Sequence, residues 1–320
     1  MRAIVITGAG GPDVLELQDV PEPEVGAGQV RVAVEAIGVN FRDVYEREGR
    51  YGTPLPAVAG AEGAGTVLET GPGLTEIAAG DRVAWSSAPG SYADQVVLDA
   101  SLAVPVPDGV SSELAAAALL QGMTAHYLAL ETYPVRRGDT VVVHAAAGGV
   151  GLLLTQVVKG LGGTVVATAS TADKRERALA AGADHALPYE GFAGRVRELT
   201  GGAGAHAVYD GVGQATFDES LRALRPRGTM VLYGAASGRV EPFDPMRLEH
   251  GGSLFLTRPS LRHYTAAREE LLRRSAEVFA WIAAGTLHVE IGGRYPLEDA
   301  RRAHEELESR ATSGKLLLVP

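Results

Sequence analysis

The sequence predicts an α/β fold in which a doubly wound parallel sheet is inserted into a β-rich domain, and three observations carry that expectation. Residues 141–143 are consecutive valines followed, after His144 and Ala145, by Ala146, Ala147, Gly148, Gly149, Val150 and Gly151, a fully buried strand running into a glycine turn. Strand-like and helix-like segments then alternate as far as residue 260, the texture of a parallel sheet with helices on both faces. On either side of that span the pattern changes. Short strands punctuated by Pro and Gly fill residues 1–101, and two helices with a closing strand follow residue 260.

In the first part, strands are expected at residues 2–7, 14–19, 29–37, 65–69, 81–85 and 91–98. Val30, Val32, Val34 and Ala36 point one way, the period of a half-buried strand, and the whole reads as a small barrel. The longest interval without a strand, residues 38–63, holds Asn40, Asp43, Tyr45, Tyr51 and Glu62, and loops of that length carry function. A helix opening on Ser111, Ser112 and Glu113 follows. Gln121 and Gly122 are expected to interrupt it, which places the crossing into the second domain there. The second domain takes strands at residues 141–143, 164–169, 183–186, 207–210, 229–233 and 253–257, and the helix after the glycine turn is closed by Gly160. Gly211, Gly213 and Gly234 stand just past strand ends, where ligands of such sheets bind. A helix over residues 264–284 with Leu271, Leu272, Phe279 and Ile282 on one face, a charged helix over 298–309 and a strand over 315–319 then return to the first domain. The expected domains are residues 1–121, 122–260 and 261–320, the last completing the first.

Strand, glycine turn and helix are what a dinucleotide pyrophosphate requires: glycines let backbone approach the phosphates, and the helix N-terminus offers unpaired N–H groups to the anion. Ala146, Gly148 and Gly151 occupy the G-x-G-x-x-G frame, with the first glycine replaced. An acidic residue about twenty positions further on would grip the ribose hydroxyls of NAD. Here the second strand ends instead in Ser170, Thr171, Ala172, Asp173, Lys174 and Arg175, and cations suit the extra 2′-phosphate of NADP, with Lys174 the better placed of the two.

Composition narrows the classes. With 320 residues, 46% hydrophobic and 21% charged, the chain is globular and long enough for two cores. A net charge of −10 with no basic run argues against a nucleic-acid surface. No apolar run reaches membrane-spanning length, and the N-terminus opens on a strand, so a cytoplasmic protein is expected. Cysteine is absent, which excludes disulfides, thiolate nucleophiles and cysteine-ligated zinc. The eight histidines show no ligand spacing and are each read as helix, turn or surface residues, and no G-x-S-x-G elbow follows a strand.

Four motifs and a tail carry a resemblance over the whole chain: residues 38–43 (GVNFRD), 60–65 (GAEGAG), 144–151 (HAAAGGVG), 257–261 (TRPSL) and 308–312 (ESRAT). The sequence resembles the zinc-free quinone oxidoreductases of the medium-chain dehydrogenase/reductase superfamily. That resemblance implies a GroES-like β-barrel catalytic domain, a Rossmann domain and NADPH in the cleft between them. By position it places Lys174 and Tyr189 at the 2′-phosphate, Ser170 at the adenosine ribose, and Gly148, Gly149 and Val150 along the pyrophosphate. It places Asn40, Tyr45, Thr124 and Tyr127 near the nicotinamide, with Gly234, Ala235, Ser237, Arg258 and Arg310 completing the clasp. The zinc-dependent relatives carry Cys where Asn40 stands and His where Ala61 stands, so no metal is expected. Without a Lewis acid, hydrogen-bond donors must stabilise the developing oxyanion, and Asn40, Tyr45 and Tyr51 are the loop candidates. The acceptor expected is a quinone or related α,β-unsaturated carbonyl. Residues 49–52 also resemble the enoyl-thioester reductase branch, and a low-turnover NADPH-binding protein with a structural or RNA-binding role is the third reading. Pairing of the apolar edge strand at 253–257 predicts a homodimer.

Overall fold

The computed structural model describes residues 1–309 and 311–320. It divides into two units, Met1–Gln121 with Ala267–Pro320, and Gly122–Ala266.

In the first unit, β1 (Arg2–Ile6) pairs antiparallel with β2 (Leu15–Asp19). The alternating valines make the longest strand, β3 (Gln29–Val39), with Val30, Val32 and Val34 buried. It runs straight into the helix α1 (Phe41–Arg47), so part of the interval expected to be loop is regular structure. Then follow β4 (Ala57–Val58) on β1, β5 (Gly63–Thr70), β6 (Arg82–Trp85), β7 (Gln95–Asp99) and β8 (Val104–Pro105). The core collects the valines of β3 with Trp85, Tyr92, Leu98, Leu316 and Leu318. Each such side chain removed from water contributes roughly 1.5–3 kcal/mol.

The helix α2 (Ser112–Tyr127) corrects one expectation: it is not interrupted at Gln121 and Gly122 but continues to Tyr127, passing into a π-helical turn at Leu128–Thr132. Glycine inside a helix costs only about 1 kcal/mol relative to alanine. The tract around it, from Ala115 to Ala118 and again from Gly122 to Ala129, is buried throughout, so packing outweighs that cost.

The second unit holds β9 (Thr140–Val143), α3 (Gly149–Gly160), β10 (Thr164–Thr168), α4 (Ala172–Ala180), β11 (His185–Leu187), α5 (Phe192–Leu199), β12 (Ala205–Asp210), α6 (Phe217–Ala223), β13 (Leu224–Leu232), α7 (Met246–His250), β14 (Phe255–Thr257) and α8 (Leu261–Tyr264). Its six strands are all parallel, in the order β11-β10-β9-β12-β13-β14. Val141, Val142 and Val143 sit at its centre with no exposed surface. The chain winds outward from β9 first to one side and then, from β12, to the other. The strand order therefore reverses between β9 and β12, and the crevice for a ligand lies beyond the carboxyl ends at that point.

The return to the first unit begins at α9 (Arg268–Ala283), followed by β15 (Ile291–Pro296), α10 (Ala300–Glu308) and β16 (Lys315–Val319). The helix expected over 264–284 starts later, as α9 from Arg268: the Thr265 hydroxyl donates to the Leu261 carbonyl and closes the short α8, which ends at Tyr264. β16 lies between β15 and β3, so the last strand of the chain borders the strand that leads to Asn40.

Candidate active site

At the end of β9 the backbone turns through Ala145, whose φ of 49° is left-handed and whose N–H donates to the Tyr189 hydroxyl at 3.1 Å. A Cβ on Gly151 would stand 2.4 Å from the Ala145 carbonyl oxygen and 2.6 Å from the Ala146 Cα. Only glycine lets α3 approach the turn so closely. Gly148 is the N-cap of α3 and brings no side chain to its first amides, the arrangement with which a helix start can bind an anion. Gly148, Gly149 and Val150 are all half-buried there. The residues fit a dinucleotide pyrophosphate.

Beneath the turn lies a buried polar floor. Ser220 and Thr216 donate to Asp210 at 3.1 and 2.7 Å, and the other Asp210 oxygen accepts the N–H groups of Val212 and Gly213. With the Ser220 hydrogen used in this way, His144 Nε2–H donates to Ser220 Oγ at 2.9 Å, and His144 Nδ1 accepts from Thr168 Oγ1 at 2.6 Å. Burial holds the His144 pKa below its ordinary value and keeps the ring neutral, as this tautomer requires. One imidazole therefore ties the ends of β9, β10 and α6 beneath the phosphate turn. The reading of each histidine as a helix, turn or surface residue fits the elements, since His126 and His304 lie on helices and His144 in the turn, but it missed that all three are fully buried. The available signal was a histidine placed between a buried strand and a glycine turn.

At the tip of β10, Ser170 is exposed, Thr171 Oγ1 caps α4 by accepting from the Lys174 N–H at 3.3 Å, and Lys174 is half-buried. No carboxylate stands between Thr168 and Thr171, and Asp173 is exposed in the first turn of α4. Beyond β13, Ser237 Oγ donates to the Val212 carbonyl and accepts the Ala215 N–H, which fixes the segment holding Ala235 against the end of β12. A Cβ on Gly234 would stand 2.3 Å from the Gly211 carbonyl oxygen, so this pair of strand ends is as close as backbone permits. Thr124 and Tyr127 are buried on α2, and Tyr127 stacks on Tyr264 at 4.2 Å between ring centroids. Arg258, exposed after β14, donates to the carbonyl of its neighbour Pro259 at 3.4 Å. Arg310 lies outside the described residues.

In the first unit, Asn40 joins β3 to α1. Its N–H donates to Asp43 Oδ2 at 2.9 Å, and the Asp43 N–H donates back to the Asn40 carbonyl at 3.0 Å. The side-chain amide donates to the Gly38 carbonyl at 3.0 Å and to Glu62 at 2.8 Å, while its oxygen accepts from Lys315 Nζ at 2.7 Å. Both amide hydrogens are thereby used inside the protein, which leaves the Asn40 side chain none to offer an oxyanion. Tyr45 lies on α1, with Phe41 and Tyr51 each at 6.3 Å between centroids and the Arg50 guanidinium 4.8 Å over its ring. Tyr51 is 55% exposed. Sequence reasoning named Glu62 only as a loop residue and missed Lys315 altogether.

The family description "Alcohol dehydrogenase GroES-like domain" matches residues 26–108, and "Zinc-binding dehydrogenase" matches residues 149–280. A quinone oxidoreductase of Salmonella typhimurium is 45% identical over 97% of both chains. The chain belongs to the quinone oxidoreductase family of the medium-chain dehydrogenase/reductase superfamily. Within this family, the 2-haloacrylate reductase of Burkholderia sp. is 41% identical over 100% of this chain and 99% of its own. A mycobacterial protein solved in complex with NADPH is 54% identical over the whole of both chains, with a TM-score of 0.98. Cysteine is absent, and among the described residues no three His, Cys, Asp or Glu side chains are grouped to hold a metal ion.

Proposed function

We propose that this chain is an NADPH-dependent oxidoreductase that reduces quinones and related α,β-unsaturated carbonyls. The observation that carries the reading is the second unit's phosphate turn, joined to a β10 tip that offers Lys174 and no carboxylate, in a chain so close to a protein solved with NADPH. Bound NADPH supplies the hydride. The protein's own residues bind, orient and supply protons. The α3 amides and Gly148, Gly149 and Val150 take the pyrophosphate, Ser170 the ribose, Lys174 and Tyr189 the 2′-phosphate. Gly234, Ala235 and Ser237 form the backbone wall after β13, and Thr124, Tyr127 and Arg258 serve the nicotinamide half. On the first unit, Tyr45 and Tyr51 donate hydrogen bonds to the acceptor oxygen. NADPH oxidation measured against a panel of quinones, enones, haloacrylates and enoyl thioesters tests the reading. No turnover with any of them overturns it.

Lys174→Ala is expected to weaken NADPH about tenfold or more while leaving NADH nearly unchanged, because a charge-assisted contact to phosphate is worth roughly 1.5–3 kcal/mol. Fluorescence titration of both nucleotides measures it. Equal losses would give the Lys174 side chain a structural role, since its main-chain N–H to Thr171 persists in the alanine variant.

The chain works as a homodimer joined at β14. That strand is the edge of the six-stranded sheet, and Phe255 on it is 61% exposed, a large apolar side chain beside unpaired strand backbone. Light scattering should give twice the chain mass at micromolar concentration, and a monomer mass would contradict the assignment. A cytoplasmic location suits a reaction that draws on NADPH. Among the described residues no helix is long and apolar enough to cross a membrane.

A further inference from the structure

Three buried groups from distant parts of the chain meet beside the acceptor loop. Lys315, the first residue of β16, is 1% exposed, and its Nζ lies 2.5 Å from Glu62 Oε2 and 2.7 Å from Asn40 Oδ1. Glu62, with no exposed surface, accepts from Lys315 and Asn40 on one oxygen and from the Leu120 N–H of α2, at 2.7 Å, on the other. Room for that carboxylate is made by Gly38, where a Cβ would stand 2.3 Å from Glu62 Oε2. The approach of Lys315 depends on Gly314, which has φ 68° and where a Cβ would stand only 2.4 Å from the Glu290 carbonyl oxygen.

This arrangement determines which way the Asn40 amide faces. With the ammonium against Oδ1 and the carboxylate against Nδ2, turning the amide over would set N–H groups against the cation and the oxygen against the anion. Removing the ammonium would leave Oδ1 without its donor and free the amide to rotate. Asn40 also begins α1, where its N–H is held by Asp43, and α1 carries Tyr45. We propose that Lys315 is a positioning residue of the acceptor site: directly and through Glu62 it fixes the Asn40 amide, and through Asn40 the start of α1 and the placement of Tyr45. Lys315 itself touches no substrate. The inference rests on the reading of the Tyr45 and Tyr51 loop as the acceptor end.

Lys315→Met alone leaves the Glu62 carboxylate buried without its cation and is a poor probe, because misfolding is the expected result. The neutral pair Lys315→Met with Glu62→Gln leaves one amide oxygen for the Leu120 N–H, turns an amide NH2 toward Asn40, and removes both the ammonium and the carboxylate that set the Asn40 amide's orientation. Three readouts on this variant test the proposal. Amide hydrogen exchange without ligand should quicken at least tenfold in a peptide spanning residues 38–48 and stay unchanged elsewhere. The NADPH dissociation constant should remain within about threefold of wild type. Turnover of a quinone should fall about 10 to 10² fold, with a larger primary isotope effect from NADPH deuterated at the transferred hydrogen, since misplacement slows the transfer step itself. A loss of turnover with an unchanged isotope effect and unchanged exchange overturns the proposal, as does normal turnover. A neutral pair that fails to fold also overturns it, by assigning these groups to stability alone. An inactive wild-type protein would instead remove the functional reading beneath it, so the two failures are distinguishable.

Discussion

Tyr51→Phe is expected to lower kcat with an enone acceptor by about 10² to 10⁴, the range for removing a general acid, while cofactor affinity changes little. Reduction of an enone leaves an enolate that must be protonated, and in the proposed reading the proton comes from one of two phenols, Tyr45 on α1 or Tyr51 just beyond it. Tyr51, at 55% exposure, is the one open to a bound acceptor, whereas Tyr45 is half-buried between Phe41, Tyr51 and the Arg50 guanidinium. A quinone tolerates the loss better, because its reduced oxygen can take a proton from water. The decisive measurement is therefore one mutant with two acceptors. A collapse with the enone beside near-normal rates with the quinone identifies Tyr51 as the donor. Unaltered rates with both leave Tyr51 as an aromatic surface for the acceptor and shift the donor role to Tyr45.

The parts of this protein that repeat with a short period were legible in its sequence. Three consecutive valines followed by glycines mark a central parallel strand and its phosphate turn, because no other use of those residues buries the one and opens the other. The absence of a carboxylate at the β10 tip was likewise readable by counting along the chain. What the sequence did not disclose are the partners that fix those elements from a distance. Lys315 reaches Asn40 across 275 positions, and a lysine opening a strand reads as an exposed charge unless its carboxylate is known. His144 looks like one scattered histidine until Thr168 and Ser220 are seen on its two nitrogens. The residue type of Asn40 allows its amide to donate to substrate, but the structure spends both hydrogens on Gly38 and Glu62. Periodicity reports which face of an element is buried. It carries no information about which buried polar groups meet.

A second chain of buried groups behind α1 gives the other large expected effect, in stability against pH. Arg47, 1% exposed, donates to His304 Nδ1 at 3.3 Å, so the His304 proton is on Nε2 and is donated to the Tyr92 hydroxyl at 3.1 Å. Tyr92 donates in turn to Asp43 Oδ2 at 3.1 Å. Burial raises the Asp43 pKa from 3.8 to about 6, against the opposing charge of Arg42, while burial and then Arg47 lower His304 from 6.5 to about 3. Burial also holds the Tyr92 phenol well above its ordinary value, so it stays protonated and links the two. For Asp43 the folded state binds the proton more tightly. Its contribution to stability is full below pH 3.8 and is lost as pH rises through about 6. For His304 the unfolded state binds the proton more tightly, so its contribution is full above pH 6.5 and is lost as pH falls toward 3. Between about pH 4 and 6 the two slopes oppose each other at about 1.4 kcal/mol per pH unit, and in the wild-type protein they cancel. Asp43→Asn leaves the histidine alone, and its stability should rise with pH across this window by about 3 kcal/mol relative to wild type. His304→Gln leaves the carboxylate alone, and its stability should fall with pH by a similar amount. Urea unfolding of the three proteins at several pH values measures these slopes, with contributions from surface carboxylates common to all three. Parallel curves would show that neither group changes its proton on unfolding in this range, and that the polar chain behind α1 serves packing without storing a pH response.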